Sequence, residues 1–171
     1  MIGKDLHATK DDPLNIWIDF MNHSIRHSII AGFIATLILS IFMIMKKIMG
    51  VMPQMNPIGD LVLVMEDLTG LSVMPIFAWL LHFFIGTVIW GVAFALIYAK
   101  LPGGRIIKGI VFGISAWLLM MLTVEPLAGH GIFGVHTSIA IPMMSLILHI
   151  IYGAILGIVY SILSKRPEQL V

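Results

Sequence analysis

The stretch Leu80–Ala99, LLHFFIGTVIWGVAFALIYA, decides how this chain is read. It is a long apolar run with one histidine, His82, near its start. With Val73 and Met74 leading into it, it exceeds the roughly 20 residues a helix needs to cross about 30 Å of hydrocarbon. The pattern returns at Leu148–Leu163, LHIIYGAILGIVYSIL. His82-x-x-x-Gly86 is matched by His149-x-x-x-Gly153, each followed by apolar helix and a tyrosine. These two histidine-bearing stretches are the first candidates for a functional site.

Composition agrees with a membrane setting. Across 171 residues the mean hydropathy is +1.03, with 59% hydrophobic and 11% charged residues. A soluble domain of this size has too much surface to be so apolar and carries about a quarter charged residues. The net charge of +1 comes with no basic patch, and no nucleic-acid partner is expected. Cysteine is absent, which excludes disulfides, thiolate nucleophiles and cysteine-ligated iron or zinc. The polar start MIGKDLHATKDDP is not expected to be a cleavable signal, because the first apolar span begins late and is too long for one.

Four spans are expected, at about 29–46, 74–99, 106–125 and 139–163, in a single all-α transmembrane domain over residues 1–171. The fold class is a polytopic four-transmembrane-helix bundle. Leu14–Ser28 mixes Trp17, Ile18 and Phe20 with Asp19, Arg26 and two histidines. That is the pattern of an N-terminal interfacial segment, or of a plain lead into span one. His23 and His27 stand one helical turn apart, as in a two-histidine metal pair, but no acidic third ligand shares the turn and they read as surface histidines. Gly32, Thr36 and Ser40 share a face suited to close helix contact, as do Gly109 and Gly113. Pro53 and Pro57 break the chain after span one. Asp60–Met74 then reads as a short amphipathic segment, too charged to span and so interfacial or partly re-entrant. Leu101–Gly104 is a tight turn.

Basic residues set an orientation. Lys4, Lys10, Arg26, Lys100, Arg105, Lys108, Lys165 and Arg166 fall on the side of the termini, against Lys46 and Lys47 opposite. By the positive-inside rule both termini are expected in the cytoplasm. The loop after span one, the amphipathic segment and the Glu125–His136 loop are then on the outer side.

From that side His82 lies about two turns into its span, and His149 about ten residues into span four, slightly deeper at roughly 1.5 Å per residue. Glu125 ends span three, and His130 and His136 sit in the glycine-rich loop beyond it. Ionisable groups within a membrane are costly and usually face the bundle, a polar partner or a cavity. Two histidines on different helices are what axial ligation of a b-type haem requires, with Gly86 and Gly153 leaving room for a flat macrocycle. His82, Glu125, His130, His136 and His149 are alternatively candidate ligands of a zinc or iron ion. Met49, Met52 and Met55, with Met43, Met45 and Met65 nearby, offer thioethers suited to Cu(I). Against these stands the plainer reading: histidines hydrogen-bonding between helices and methionines filling gaps.

The sequence resembles a group of small four-span bacterial inner-membrane proteins that are functionally uncharacterised. The resembling pieces are Gly32-Phe33-Ile34-Ala35-Thr36, Met49-Gly50-x-x-Pro53-x-Met55, Leu81-His82-x-x-x-Gly86, Leu101-Pro102-Gly103 and Leu148-His149-x-x-Tyr152-Gly153. The resemblance implies a multi-pass protein of the bacterial inner membrane in which both span histidines are a family feature, and it supplies no activity. The segment through Arg26 is longer than the family pattern expects. No phosphate cradle, HExxH or spaced carboxylate pair points to an enzyme, and the broken-helix inverted repeat of secondary carriers is missing. Two functions are carried forward. One is a non-catalytic accessory or scaffold subunit of an inner-membrane respiratory or redox complex, with lipids, other subunits or a homodimer as partners. The other is a haem- or metal-binding protein acting in electron transfer or metal handling.

Overall fold

The computed structural model describes residues 12–164, which form helices and connecting loops with no strand among them. Helix α1, Pro13–Ile48, begins where the Asp12 side chain accepts from the Leu14 N–H at 3.0 Å and Pro13 fills the first helical position. Its 36 residues extend about 54 Å, far more than the hydrocarbon thickness. The N-terminal segment is thus continuous with span one, as a plain lead into it would be, and the stretch long and apolar enough to cross a membrane runs from Met21 to Ile48. Helix α2, Pro57–Thr69, is capped by Asn56, whose side chain accepts from the Gly59 N–H, and stops at Gly70 in the left-handed conformation. It starts before the expected Asp60 and ends well short of Met74.

Helix α3, Pro75–Lys100, contains a π-helical turn at Ile85–Ile89 and closes in a 3₁₀ turn. Gly103, at φ +82°, turns the chain into α4, Arg105–Leu127. A loop with a short 3₁₀ turn at Ile132–Gly134 leads to α5, Ala140–Leu163. Helices α3, α4, α5 and α1 from Met21 onward are long and apolar enough to cross a membrane. The protein is a multi-pass all-α membrane protein. Residues such as Phe33, Leu37, Ile41, Leu80 and Leu96 cover its outside with apolar side chains, as a hydrocarbon solvent requires.

Packing follows the small residues. Helices α4 and α5 meet most extensively, and α1 packs on both α5 and α3. A Cβ on Gly109 would collide with the Gly153 carbonyl, and one on Gly113 with that of His149, so only glycine allows this approach. Gly32 faces the backbone of Gly86 and Thr87, and Gly91 that of Ser28 and Ile29. Helices α3 and α4, consecutive in the chain, share no comparable contact. They are bridged by the rings of Trp90 and Phe94 against Phe112, with centroids 5.8 and 5.1 Å apart. The Ser24 and Tyr160 hydroxyls meet at 2.6 Å and mark the proximal end, where α1 begins and α5 finishes. At the distal end α2 lies against α3 and α4, burying Ile58, Leu61 and Val64 near Met43, Ala78 and Val124.

Candidate functional site

Three elements deliver one polar group each to the distal end. Asp60 lies in the first turn of α2, on the face that also buries Leu61 and Val64. Glu125 is buried in the last turn of α4, just before Pro126. His130 follows in the loop, held by its N–H on the Glu125 carbonyl at 2.9 Å. Its Nδ1 lies 3.2 Å from Glu125 Oε2, to which it donates, and 3.8 Å from Asp60 Oδ1. One ligand atom from each of the three falls within 4.8 Å of the others, the geometry of a candidate metal site. Gly134 makes room: at φ +66° it suits glycine, and a Cβ there would stand 2.9 Å from Glu125 Oε2. Burial pushes the Asp60 carboxyl up to about 6, the charge of Glu125 adds to the rise, and His130 opposes it.

Beneath this trio a cavity of about 320 Å³ extends into the bundle as far as Tyr152. Asp60 and Glu125 stand in its wall at one end, and His82, His149, Thr36 and Ser145 in its wall elsewhere. Apolar side chains supply most of the rest. His149 Nδ1 donates to the Ser145 carbonyl at 2.8 Å, which in the neutral ring leaves Nε2 as the lone-pair nitrogen. Ser40 Oγ donates to the Thr36 carbonyl at 2.8 Å, so across its 3.3 Å contact with His82 Nε2 it acts as the acceptor. The Tyr152 hydroxyl donates to the Gly86 carbonyl inside the π turn at 2.5 Å. Ser145 is 2% exposed and its hydroxyl has no partner among the described residues, while the buried Thr36 hydroxyl lies against Gly86 beside that of Tyr152.

Of the ligands expected from sequence, Glu125 and His130 come together. His82 and His149 line the same cavity but stand outside the trio. His136 is exposed, its ring stacked over Gly131. The room expected beside the span histidines for a macrocycle is taken: Gly86 accommodates Thr36 of α1, and Gly153 accommodates the backbone of Gly109. Of the methionines, Met43 and Met55 are buried and line the cavity together, while Met45 and Met49 are 49% and 70% exposed. Lys46 ties their loop down, donating to the carbonyls of Met52 and Met55 at 2.9 and 2.6 Å. His23 and His27, with ring centroids 5.9 Å apart, belong to no group of three potential ligands among the described residues.

Asp60 was missing from the sequence reading, where it counted only as one charge of an amphipathic helix. The signal was its position: four residues before Val64, it falls on the apolar face, whereas the half-buried Glu66 and exposed Asp67 do not belong to the buried set. Comparison with known proteins yields one family model, for a family of unknown function, matching residues 22–171. That range includes the trio, both span histidines and the whole cavity wall, and omits the first turns of α1. No curated protein and no solved structure matches the chain.

Proposed function

The chain belongs to the DUF6789 family, a family of unknown function, and from its distal site we propose that it binds a divalent metal ion in metal handling at the membrane. The observation that carries this reading is the convergence of Asp60, Glu125 and His130 from α2, α4 and the following loop. Two neighbouring carboxylates in a half-dry site repel each other, and a divalent cation relieves both the repulsion and the desolvation. One imidazole and two carboxylates suit a borderline first-row ion such as Zn²⁺ or Mn²⁺ better than Cu(I). Three protein ligands leave coordination positions open towards the cavity.

The accessory-subunit reading rests on small-residue faces, an interfacial N-terminal segment and few charges. The faces of Gly32, Gly86, Gly109 and Gly153 are filled by neighbouring helices of the same chain, which favours the metal reading. The proposal places the protein in the bacterial inner membrane with both termini cytoplasmic. Arg26, Lys100, Arg105 and Lys108 on the proximal half support this orientation, and it exposes the metal site to the periplasm.

The test is calorimetric titration of cation-free purified protein with Zn²⁺ and with Mn²⁺. One ion per chain is expected. Glu125→Gln and His130→Ala should each weaken binding by more than the roughly 10–100-fold typical of losing an outer-shell partner. Unchanged stoichiometry and affinity in both variants would overturn the assignment.

A further inference from the structure

The inner part of the cavity, around Ser145, His149 and Tyr152, is continuous with the end walled by Asp60 and Glu125 but differs from it in chemistry. We propose that it receives the ring of a lipid-soluble carbonyl compound of two-ring size, of the quinone class, entering sideways from the bilayer between α3 and α4.

Three observations converge on this ligand. The first is the route. Helices α3 and α4 are bridged by aromatic rings at Trp90, Phe94 and Phe112 rather than by close backbone packing. Ile89 of α3 and Leu119 of α4 line the cavity while remaining 46% and 51% exposed on the outside of the bundle. The opening therefore faces the apolar surface that the bilayer covers, and a molecule dissolved in lipid reaches it without crossing the charged distal end.

The second is size. An apolar cavity of about 150 Å³ takes one benzene ring. The whole cavity, the end walled by Asp60 and Glu125 included, is about 320 Å³, roughly twice that, which bounds the occupant at two rings.

The third is the unfinished hydrogen bonding. Ser145 Oγ is buried, lines the cavity and has no partner among the described residues, whereas Thr36 Oγ1 lies against Gly86 beside the Tyr152 hydroxyl. Unsatisfied hydroxyls inside a membrane protein are costly, and a carbonyl oxygen would accept from them. His149, whose Nδ1 is occupied by the Ser145 carbonyl, keeps Nε2 as an acceptor. The same wall can thus hold a carbonyl through Ser145, or a ring hydroxyl through His149. A purely hydrocarbon occupant would leave both unanswered.

The experiment uses menadione, a two-ring quinone, and 2-methylnaphthalene, which has the same rings without carbonyls. Both are titrated into cation-free protein in lipid nanodiscs, so that the outcome is independent of the metal site. Binding is read by isothermal calorimetry and by quenching of Trp90, with Trp90→Phe identifying its share of the signal. Saturable menadione binding at one per chain is expected, roughly tenfold tighter than 2-methylnaphthalene from the added hydrogen bonds. Ser145→Ala removes a hydroxyl that makes no internal bond, so the fold should stand while menadione binding weakens several-fold. Ala116→Phe, at a buried position in the wall, should abolish binding by filling the space. Equal affinity for the two compounds, or menadione binding unaffected by both Ser145→Ala and Ala116→Phe in folded protein, would overturn the proposal.

Discussion

Replacing Gly157 by alanine tests whether the α4–α5 contact holds the bundle together. A Cβ on Gly157 would stand 2.5 Å from the Arg105 carbonyl oxygen and 3.2 Å from Gly109 Cα, whereas ordinary contact begins at 3.4 Å. The obstacle is backbone, so no rotamer relieves it. Helix α5 must withdraw by about 0.9 Å at this point, and gaps of 0.5–1 Å forfeit a quarter to a half of each dispersion contact. In a bilayer there is little hydrophobic force to compensate, since lipid tails are as apolar as the side chains. Overpacking against backbone costs about 3 kcal/mol, at the upper end of the usual range. Better helix propensity returns about 0.5–1 kcal/mol, leaving a net loss of about 2 kcal/mol. For a chain of this size that lowers Tm by about 4–8 °C. The assay is thermal unfolding in mild detergent followed by far-UV circular dichroism. Ile162→Ala, on the same helix at a residue 60% exposed, is the control and should change little. A Gly157→Ala protein that melts with the control would refute the reasoning, because the close approach would then contribute nothing.

Other consequences follow from the same contacts. Gly86→Ala should destabilise through collision with Thr36, and adding Thr36→Ala should recover most of the loss; a double-mutant cycle without coupling would remove that contact from the account. Tyr152→Phe should cost about 1 kcal/mol by leaving the Gly86 carbonyl without its donor, measured by the same melts. The Asp60 carboxyl, raised to about 6, holds its proton more tightly folded than unfolded. In cation-free protein, stability should therefore be highest below about pH 4 and fall as pH rises through about 6, and Asp60→Asn should abolish that fall. Divalent-ion affinity should run the other way, dropping as pH falls through about 6 because the proton competes for the carboxylate. Gly134→Ala meets Glu125 Oε2 and a left-handed backbone together, so ion affinity should drop even though no ligand is removed.

Much of this protein is written locally. The four apolar helices were legible because the free energy of placing a segment in hydrocarbon adds up along contiguous residues, and so were the breaks at Pro53, Pro57 and Pro102, which act on their own backbone. Glu125 and His130 were legible as candidates because only four residues, the end of α4 and the start of the loop, lie between them. The small residues on α1 and α4 were legible as contact faces, but not their partners. The same pattern serves a homodimer or an intrachain contact, and only assembly of the helices paired Gly109 with Gly153 and Gly32 with Gly86. Asp60 stands 65 residues before Glu125, and no periodicity couples them: they meet because α2 lies across the distal ends of its neighbours. The cavity likewise has no signature in the chain, since it is space left between residues of all five helices. Local hydropathy sets which segments enter the membrane; the site depends on distances between segments, and those are set by side-chain packing in three dimensions.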